Sequence, residues 1–207
     1  MVVKGFIIGP LELNCYLIWN EENKKGVIID PGYYNLKLNN YINEMNITVE
    51  YIILTHGHGD HICGVPAYRK KFPNMKVIAH ETEDEILSNS ELNLSKEVSG
   101  KSVTVSPDIY IKNDETINLA GMDVRFIHTP GHTKGGMSIL IGDYLFCGDT
   151  LFYESIGKTH FHGGSYDVLI ASIKEKLFKL PGHTKVMPGH MNYSTIDHEK
   201  EHNPFLL

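Results

Sequence analysis

Tyr51-Ile52-Ile53-Leu54-Thr55-His56-Gly57-His58-Gly59-Asp60-His61 passes, through Thr55 alone, from an apolar run to a cluster of ligand-type side chains. The apolar run is short and does not alternate, as expected for a strand covered on both faces. Loops at strand ends are where a rigid scaffold carries functional residues. Imidazole and carboxylate are ligands for zinc, iron and manganese. A single histidine is more often a surface or core residue, but four ligand-type side chains in six residues, His56, His58, Asp60 and His61, point to a metal site. Gly57 and Gly59 are expected to let the backbone turn sharply and aim the alternating side chains at one point.

The same context recurs downstream. His132 stands in Thr129-Pro130-Gly131-His132-Thr133 after an expected strand at 124–128. Asp149 stands in Cys147-Gly148-Asp149-Thr150 after one at 144–147, and His190 in Pro188-Gly189-His190 after one at 185–187. Four strand ends meeting on one edge would bring these seven side chains together. Pro181-Gly182-His183 copies the last triplet but follows a helix end, so His183 is not expected to join them. His80, His128, His198 and His202 read as surface or supporting residues, and Cys147 as a packing residue.

Further strands are expected at 2–8, 15–19 and 26–29, the last two joined by a polar hairpin turn. A helix should follow Asp30-Pro31-Gly32, with Leu36, Tyr41 and Met45 among its core residues. A helix at 64–72 and a strand at 76–79 come next, and Thr82 with Glu85 forms a capping box for a helix reaching Ser88. Residues 89–114 are polar and aperiodic and read as a surface excursion. Strands at 116–119, 124–128, 139–141 and 144–147 follow, then a glycine-rich loop over 155–165. A helix at 167–178 carries Ile170, Ile173 and Leu177 on one stripe. Each half is therefore strands followed by a helix, which predicts an α/β domain spanning 1–207 with two β-sheets packed together and helices outside.

Apolar residues make up 42% of the 207 and charged residues 21%, enough to bury a core in one domain. The formal net charge is −6, which argues against a nucleic-acid partner. Three cysteines at scattered positions do not form a disulfide framework, and a cytoplasmic location is expected. No apolar stretch approaches the roughly 18 residues of a membrane span.

His56-Gly-His58-Gly-Asp60-His61 with His132, Asp149 and His190 resembles the complete ligand set of the metallo-β-lactamase superfamily, and within it the chain is similar to the short glyoxalase II-like hydrolases. Gly9-Pro10-Leu11, Asn14-Cys15-Tyr16-Leu17, Asp30-Pro31-Gly32, Gly148–Phe152 and Ser155-Ile156-Gly157-Lys158-Thr159 carry the likeness along nearly the whole chain. The resemblance implies a four-layer αββα sandwich and two divalent metal ions, zinc or alternatively iron or manganese. One ion would take His56, His58 and His132, the other Asp60, His61 and His190, with Asp149 bridging. It also implies a small-molecule acyl-thiol substrate such as S-lactoylglutathione, hydrolysed by a metal-bridging hydroxide that Asp60 helps to steer.

Lys158 and His160, in the loop Lys158-Thr-His160-Phe-His162-Gly-Gly, are the candidate substrate-binding residues, although relatives usually show a basic residue, an acidic one and then proline there. Longer glyoxalase II enzymes hold glutathione on a C-terminal helical domain, for which little sequence follows His190 here, so a weak preference for glutathione is expected. The alternatives are lactone or β-lactam hydrolysis at the same site, a mononuclear-iron persulfide dioxygenase, and a non-catalytic metal-binding protein.

Overall fold

Side chains on a strand alternate between its two faces, so each strand buried on both sides feeds two different cores. Leu13–Trp19 is buried along its whole length in a computed structural model that describes residues 1–207. Leu13, Cys15, Leu17 and Trp19 enter one apolar cluster, while Tyr16 and Ile18 enter another.

The first sheet has the order β1 (Val2–Ile8), β2 (Leu13–Trp19), β3 (Lys25–Ile29), β4 (Thr48–Ile53), β5 (Lys76–His80) and β6 (Ile109–Ile111). Its first three strands are antiparallel, and β3 to β6 are mutually parallel. The second sheet runs through β7 (Glu115–Leu119), β8 (Met122–His128), β9 (Met137–Ile141) and β10 (Tyr144–Gly148) as an antiparallel meander. A short hairpin, β11 (Leu151–Phe152) and β12 (Ser155–Ile156), stands apart from it. β13 (Lys185–Pro188) then pairs parallel with β10, and β14 (Ser194–Thr195) closes the edge.

Three apolar clusters define the layers. Tyr16, Ile18, Val27, Ile53, Val124, Phe126, Ile139 and Phe146 fill the space between the sheets. Outside the first sheet, Leu17, Ile28, Ile52 and Val77 meet Leu38 and Ile42 of α1 (Leu36–Glu44), then Ile62 of α2 (Gly59–Ile62) and Tyr68 of α3 (Val65–Lys71). Outside the second sheet, Leu145, Cys147 and Val186 meet a further helix, Tyr166–Glu175, through Leu169 and Ile173. The architecture is four-layered, helices–sheet–sheet–helices. Each fully buried Leu, Ile or Val contributes roughly 1.5–3 kcal/mol, so the three clusters are the main favourable term.

Several local expectations are corrected. Leu36 is exposed, whereas Leu38 and Ile42 are buried. The Asn35 side chain accepts a hydrogen bond from the Leu38 amide, which starts the helix at Leu36 and turns that residue outward. Thr82 is not a helix cap. The His80 side chain accepts from the Thr82 amide instead, and a 3₁₀ turn (Glu81–Glu83) leads into α4 (Asp84–Leu87).

Residues 89–114 are not a surface excursion. They contribute α5 (Ser95–Ser99) and the edge strand β6, and Asn93 and Ser95 are fully buried. Their polar side chains satisfy local backbone: Asn93 Nδ2 and Ser95 Oγ donate to the Val103 carbonyl, and Ser95 Oγ accepts from the Val103 amide. The segment is polar because side chains replace ladder hydrogen bonds, so it carries no hydrophobic period.

Candidate metal centre

All seven ligand-type residues lie just beyond strand ends, on loops leaving β4, β8, β10 and β13. The first four follow β4 directly, with Asp60 and His61 in the short helix α2. Gly57 and Gly59 are needed there for close packing, since neither has positive φ. A Cβ on Gly59 would lie 2.5 Å from Ser95 Cα, and the Gly59 amide donates to the Asn93 carbonyl at 2.6 Å. At the end of β10, Gly148 has φ +49°, and a Cβ there would lie 2.2 Å from Thr55 Oγ1. Only glycine brings Asp149 this near to β4.

The side chains gather in overlapping groups, with the ligand atoms of each within 4.8 Å of one another: His56, His58 and His132; His56, His61 and Asp149; Asp60, His61 and His190. His132 Nε2 lies 3.2 Å from His56 Nε2 and 2.9 Å from His58 Nδ1. On the other side, His190 Nε2 is 3.1 Å and His61 Nε2 3.7 Å from Asp60 Oδ2. Asp149 stands between them. Its Oδ1 is 3.3 Å from His61 Nε2 and its Oδ2 is 3.7 Å from His132 Nε2.

The hydrogen bonds behind these atoms test whether the set suits cations. His132 Nδ1 donates to the Lys158 carbonyl at 2.6 Å and His190 Nδ1 to the Leu11 carbonyl at 3.0 Å. His61 Nδ1 donates to Asp30 Oδ2 at 2.9 Å. The Thr55 hydroxyl gives its proton to Asp30, so its oxygen accepts from His56 Nδ1. In the neutral imidazoles, with the proton held on Nδ1, each Nε2 presents a bare lone pair toward the centre. Lone pairs therefore face lone pairs or carboxylate oxygens, and buried His61 Nε2 and Asp149 Oδ1 have no hydrogen-bond partner. Cations resolve that arrangement, and outer acceptors that orient the imidazoles are the usual companions of metal ligands.

Burial and neighbouring imidazoles lower the pKa values of His56 and His58, the latter to about 3, and burial lowers that of His132. Burial opposes protonation of His61 and His190 too, but the carboxylates of Asp60 and Asp149 outweigh it and raise both. Without metal, the three-histidine group is therefore neutral at a pH where His61 and His190 still hold protons. A raised pKa means that protons compete for the ligand earlier as pH falls. Dialysis at stepwise lower pH should strip an ion from the Asp60/His61/His190 group first. Metal content measured at each step checks this, and simultaneous loss from both groups would contradict it.

A cavity of about 330 Å³ opens over the cluster, walled by Leu11, Leu94, Val98, Phe152 and Phe161. Lys158 lines it, but His160 does not. His160 is exposed, and the adjacent Phe161 turns inward instead, edge-on to His58 at 5.2 Å. His162 faces away and pairs with Glu85 at 3.1 Å. His183 is exposed beside Asp143, away from the cluster, and His80 is buried and stacked on His128 at 3.9 Å.

Sequence reasoning missed the supporting set: Asp30, Thr55 and Glu83, with Leu94 and Val98 of the cavity wall. Asp30 was visible only as part of Asp30-Pro31-Gly32. Glu83 is 1% exposed and accepts from the Gly57 amide, the Thr133 hydroxyl and the Gly135 amide. Burial pushes its carboxyl up to about 7 against those three donors.

Comparison with known proteins bears on this arrangement. The sequence is 36% identical to a probable metallo-hydrolase (YqgX) of Bacillus subtilis, over 96% of this chain and 94% of the relative. It is 34% identical to the hydroxyacylglutathione hydrolase GloC of Haemophilus influenzae, over 96% and 95%. Among solved structures, the BLEG-1 B3 metallo-β-lactamase superposes with a TM-score of 0.92 at 36% identity, covering 99% of each chain. A protein crystallised in a di-iron-bound form, TTHA1623, gives 0.83 at 30% identity over 98% of this chain and 100% of its own. The match to the family described as the metallo-beta-lactamase superfamily runs over residues 8–190, from the end of β1 to His190. With the two packed sheets, the strand-end histidines and aspartates and these relatives in agreement, the chain belongs to the metallo-β-lactamase superfamily.

Proposed function

We propose that the protein is a dinuclear metal-dependent hydrolase of thioesters, with His56, His58 and His132 holding one ion, Asp60, His61 and His190 the other, and Asp149 shared. The observation that carries this reading is the two-sided placement of Asp149, with one oxygen toward each group of ligands. Two divalent ions in such a site supply a water nucleophile at neutral pH and polarise the substrate carbonyl.

The chain's own residues do the rest. Asp149 and Asp60 offset the positive charge, and Asp60, at the cavity floor, accepts a hydrogen bond from the nucleophile and orients it. Leu11, Leu94, Val98, Phe152 and Phe161 exclude solvent and receive the apolar part of the substrate. A thiolate leaves without prior protonation at neutral pH, so the chemistry needs no acid poised over the cavity. The relative named as a hydroxyacylglutathione hydrolase supports the thioester class, and the di-iron neighbour supports two ions.

Lys158 is the one cationic side chain lining the cavity. A single ammonium on a flexible stem is a weak reader of a large thiol carrier. The expected result is hydrolysis of several acyl-thiols, with less than about a hundredfold preference in kcat/KM for lactoyl-glutathione over the lactoyl thioester of N-acetylcysteamine. A hundredfold corresponds to about 2.7 kcal/mol of transition-state discrimination. A larger preference would show that glutathione is held by contacts beyond Lys158.

A second reading, hydrolysis of β-lactams, is favoured by the 36% identity to the B3 metallo-β-lactamase. Turnover of β-lactams with inert thioesters would select it. Oxygen uptake with glutathione persulfide by an enzyme holding one iron would overturn both.

A further inference from the structure

Beyond the ligands, one buried carboxylate joins the two loops that build the three-histidine group. Glu83 Oε1 accepts the Gly57 amide at 2.7 Å, and Gly57 lies between His56 and His58. Its Oε2 accepts the Gly135 amide at 2.8 Å and the Thr133 hydroxyl at 3.0 Å, in the loop that begins at His132. Apart from the contacts among the ligand imidazoles, the direct hydrogen bond between these segments lies at their ends, where the Met137 amide donates to the Thr55 carbonyl at 2.9 Å. Glu83 forms no ion pair, so no cationic side chain explains the buried carboxyl group. Three donors converge on it, and an ionised carboxylate is the one side chain of this length that accepts at both ends and donates at neither.

The packing is fitted to that group. A Cβ on Gly57 would lie 3.2 Å from Glu83 Oε1, and one on Gly135 would lie 2.6 Å from Oε2. Both loops need glycine where they press against the carboxylate.

We infer that Glu83 is a positioning residue that sets the separation of the His56/His58 loop from the His132 loop, so that the three imidazoles share one ion. This rests on the dinuclear reading above. If the loops drift apart by a fraction of an ångström, the three nitrogens no longer close on one centre, while the Asp60/His61/His190 group, on its own supports, keeps its geometry. Glutamine fills the same space but presents an NH₂ where two donors already point, so it holds one loop and repels the other. A role in packing alone would be satisfied by glutamine.

The experiment compares wild type, Glu83→Gln and Thr133→Val, reading zinc per chain, zinc affinity by chelator competition and the visible absorption of the cobalt(II)-loaded proteins. Wild type should hold two ions. Glu83→Gln should bind one of them at least tenfold more weakly, with a changed cobalt spectrum, and keep the other. Thr133→Val removes one hydrogen bond with little change of shape and should give a smaller change in the same site. It also carries the test if Glu83→Gln fails to fold. Two tight ions and an unaltered cobalt spectrum in a folded Glu83→Gln protein would overturn the inference, as would an unchanged Thr133→Val protein should Glu83→Gln not fold. Wild type that binds no metal would instead overturn the dinuclear reading on which it rests.

Discussion

Replacing Asp149 by asparagine is expected to lower turnover by about a hundredfold or more and to weaken metal binding. Asp149 is the only ligand-type residue with an oxygen directed at each group, Oδ1 toward His61 and Oδ2 toward His132. Asparagine keeps the shape but replaces one acceptor with an NH₂, which cannot ligate and would point its protons at a cation or an imidazole lone pair. It also removes one of the two carboxylates, with Asp60, that would offset two dications, and in a partly buried site that charge is poorly replaced by solvent. Metal per chain and kcat should be measured on the same preparation. Near-normal turnover with two bound ions would show that Asp149 does not bridge. One ion with proportionate residual activity would place Asp149 in a single site.

Asp30→Ala should be the most damaging change away from the ligands. Asp30 is 1% exposed and accepts from the Thr55 amide at 2.8 Å, the Thr55 hydroxyl at 2.6 Å and His61 Nδ1 at 2.9 Å. Alanine leaves these donors buried without an acceptor, and stranding one side of a buried polar pair costs about 3–5 kcal/mol. Asp30 also has φ +50°, a conformation aspartate tolerates better than alanine. The consequences extend to chemistry, because Asp30 sets the tautomer of His61 directly and that of His56 through Thr55. Affinity for the ion at the Asp60/His61/His190 group should fall by about ten- to a hundredfold. Urea unfolding with an unchanged m value and a lower midpoint would register the stability loss, and chelator competition the affinity. An unchanged midpoint together with full metal content would mean that ordered water replaces the carboxylate and that Asp30 is not the support described.

The sequence by itself determined the layered α/β organisation and the seven candidate ligands, because both are written in local chemistry. The run Tyr51–Leu54 is apolar on consecutive residues since both of its faces are covered. Each candidate ligand follows a strand because a strand end is where the chain leaves the sheet. Such signals need only a few neighbouring residues. What the tertiary structure decided depends on contacts between segments distant in sequence. Glu83 reaches Gly57 across 26 positions and Gly135 across 52, and nothing near Glu83 in the chain announces either partner. Periodicity missed α5 because Asn93 and Ser95 bind backbone with their side chains, so a buried segment reads as polar. Neighbours as alike in position as His160 and Phe161 were separated only by which way the loop turned once Gly131 and His132 anchored it through the Ser165 amide and the Lys158 carbonyl. Composition records which groups can bind a metal. Their tautomers, their supports and the wall above them come from hydrogen bonds that form only after the two sheets have packed.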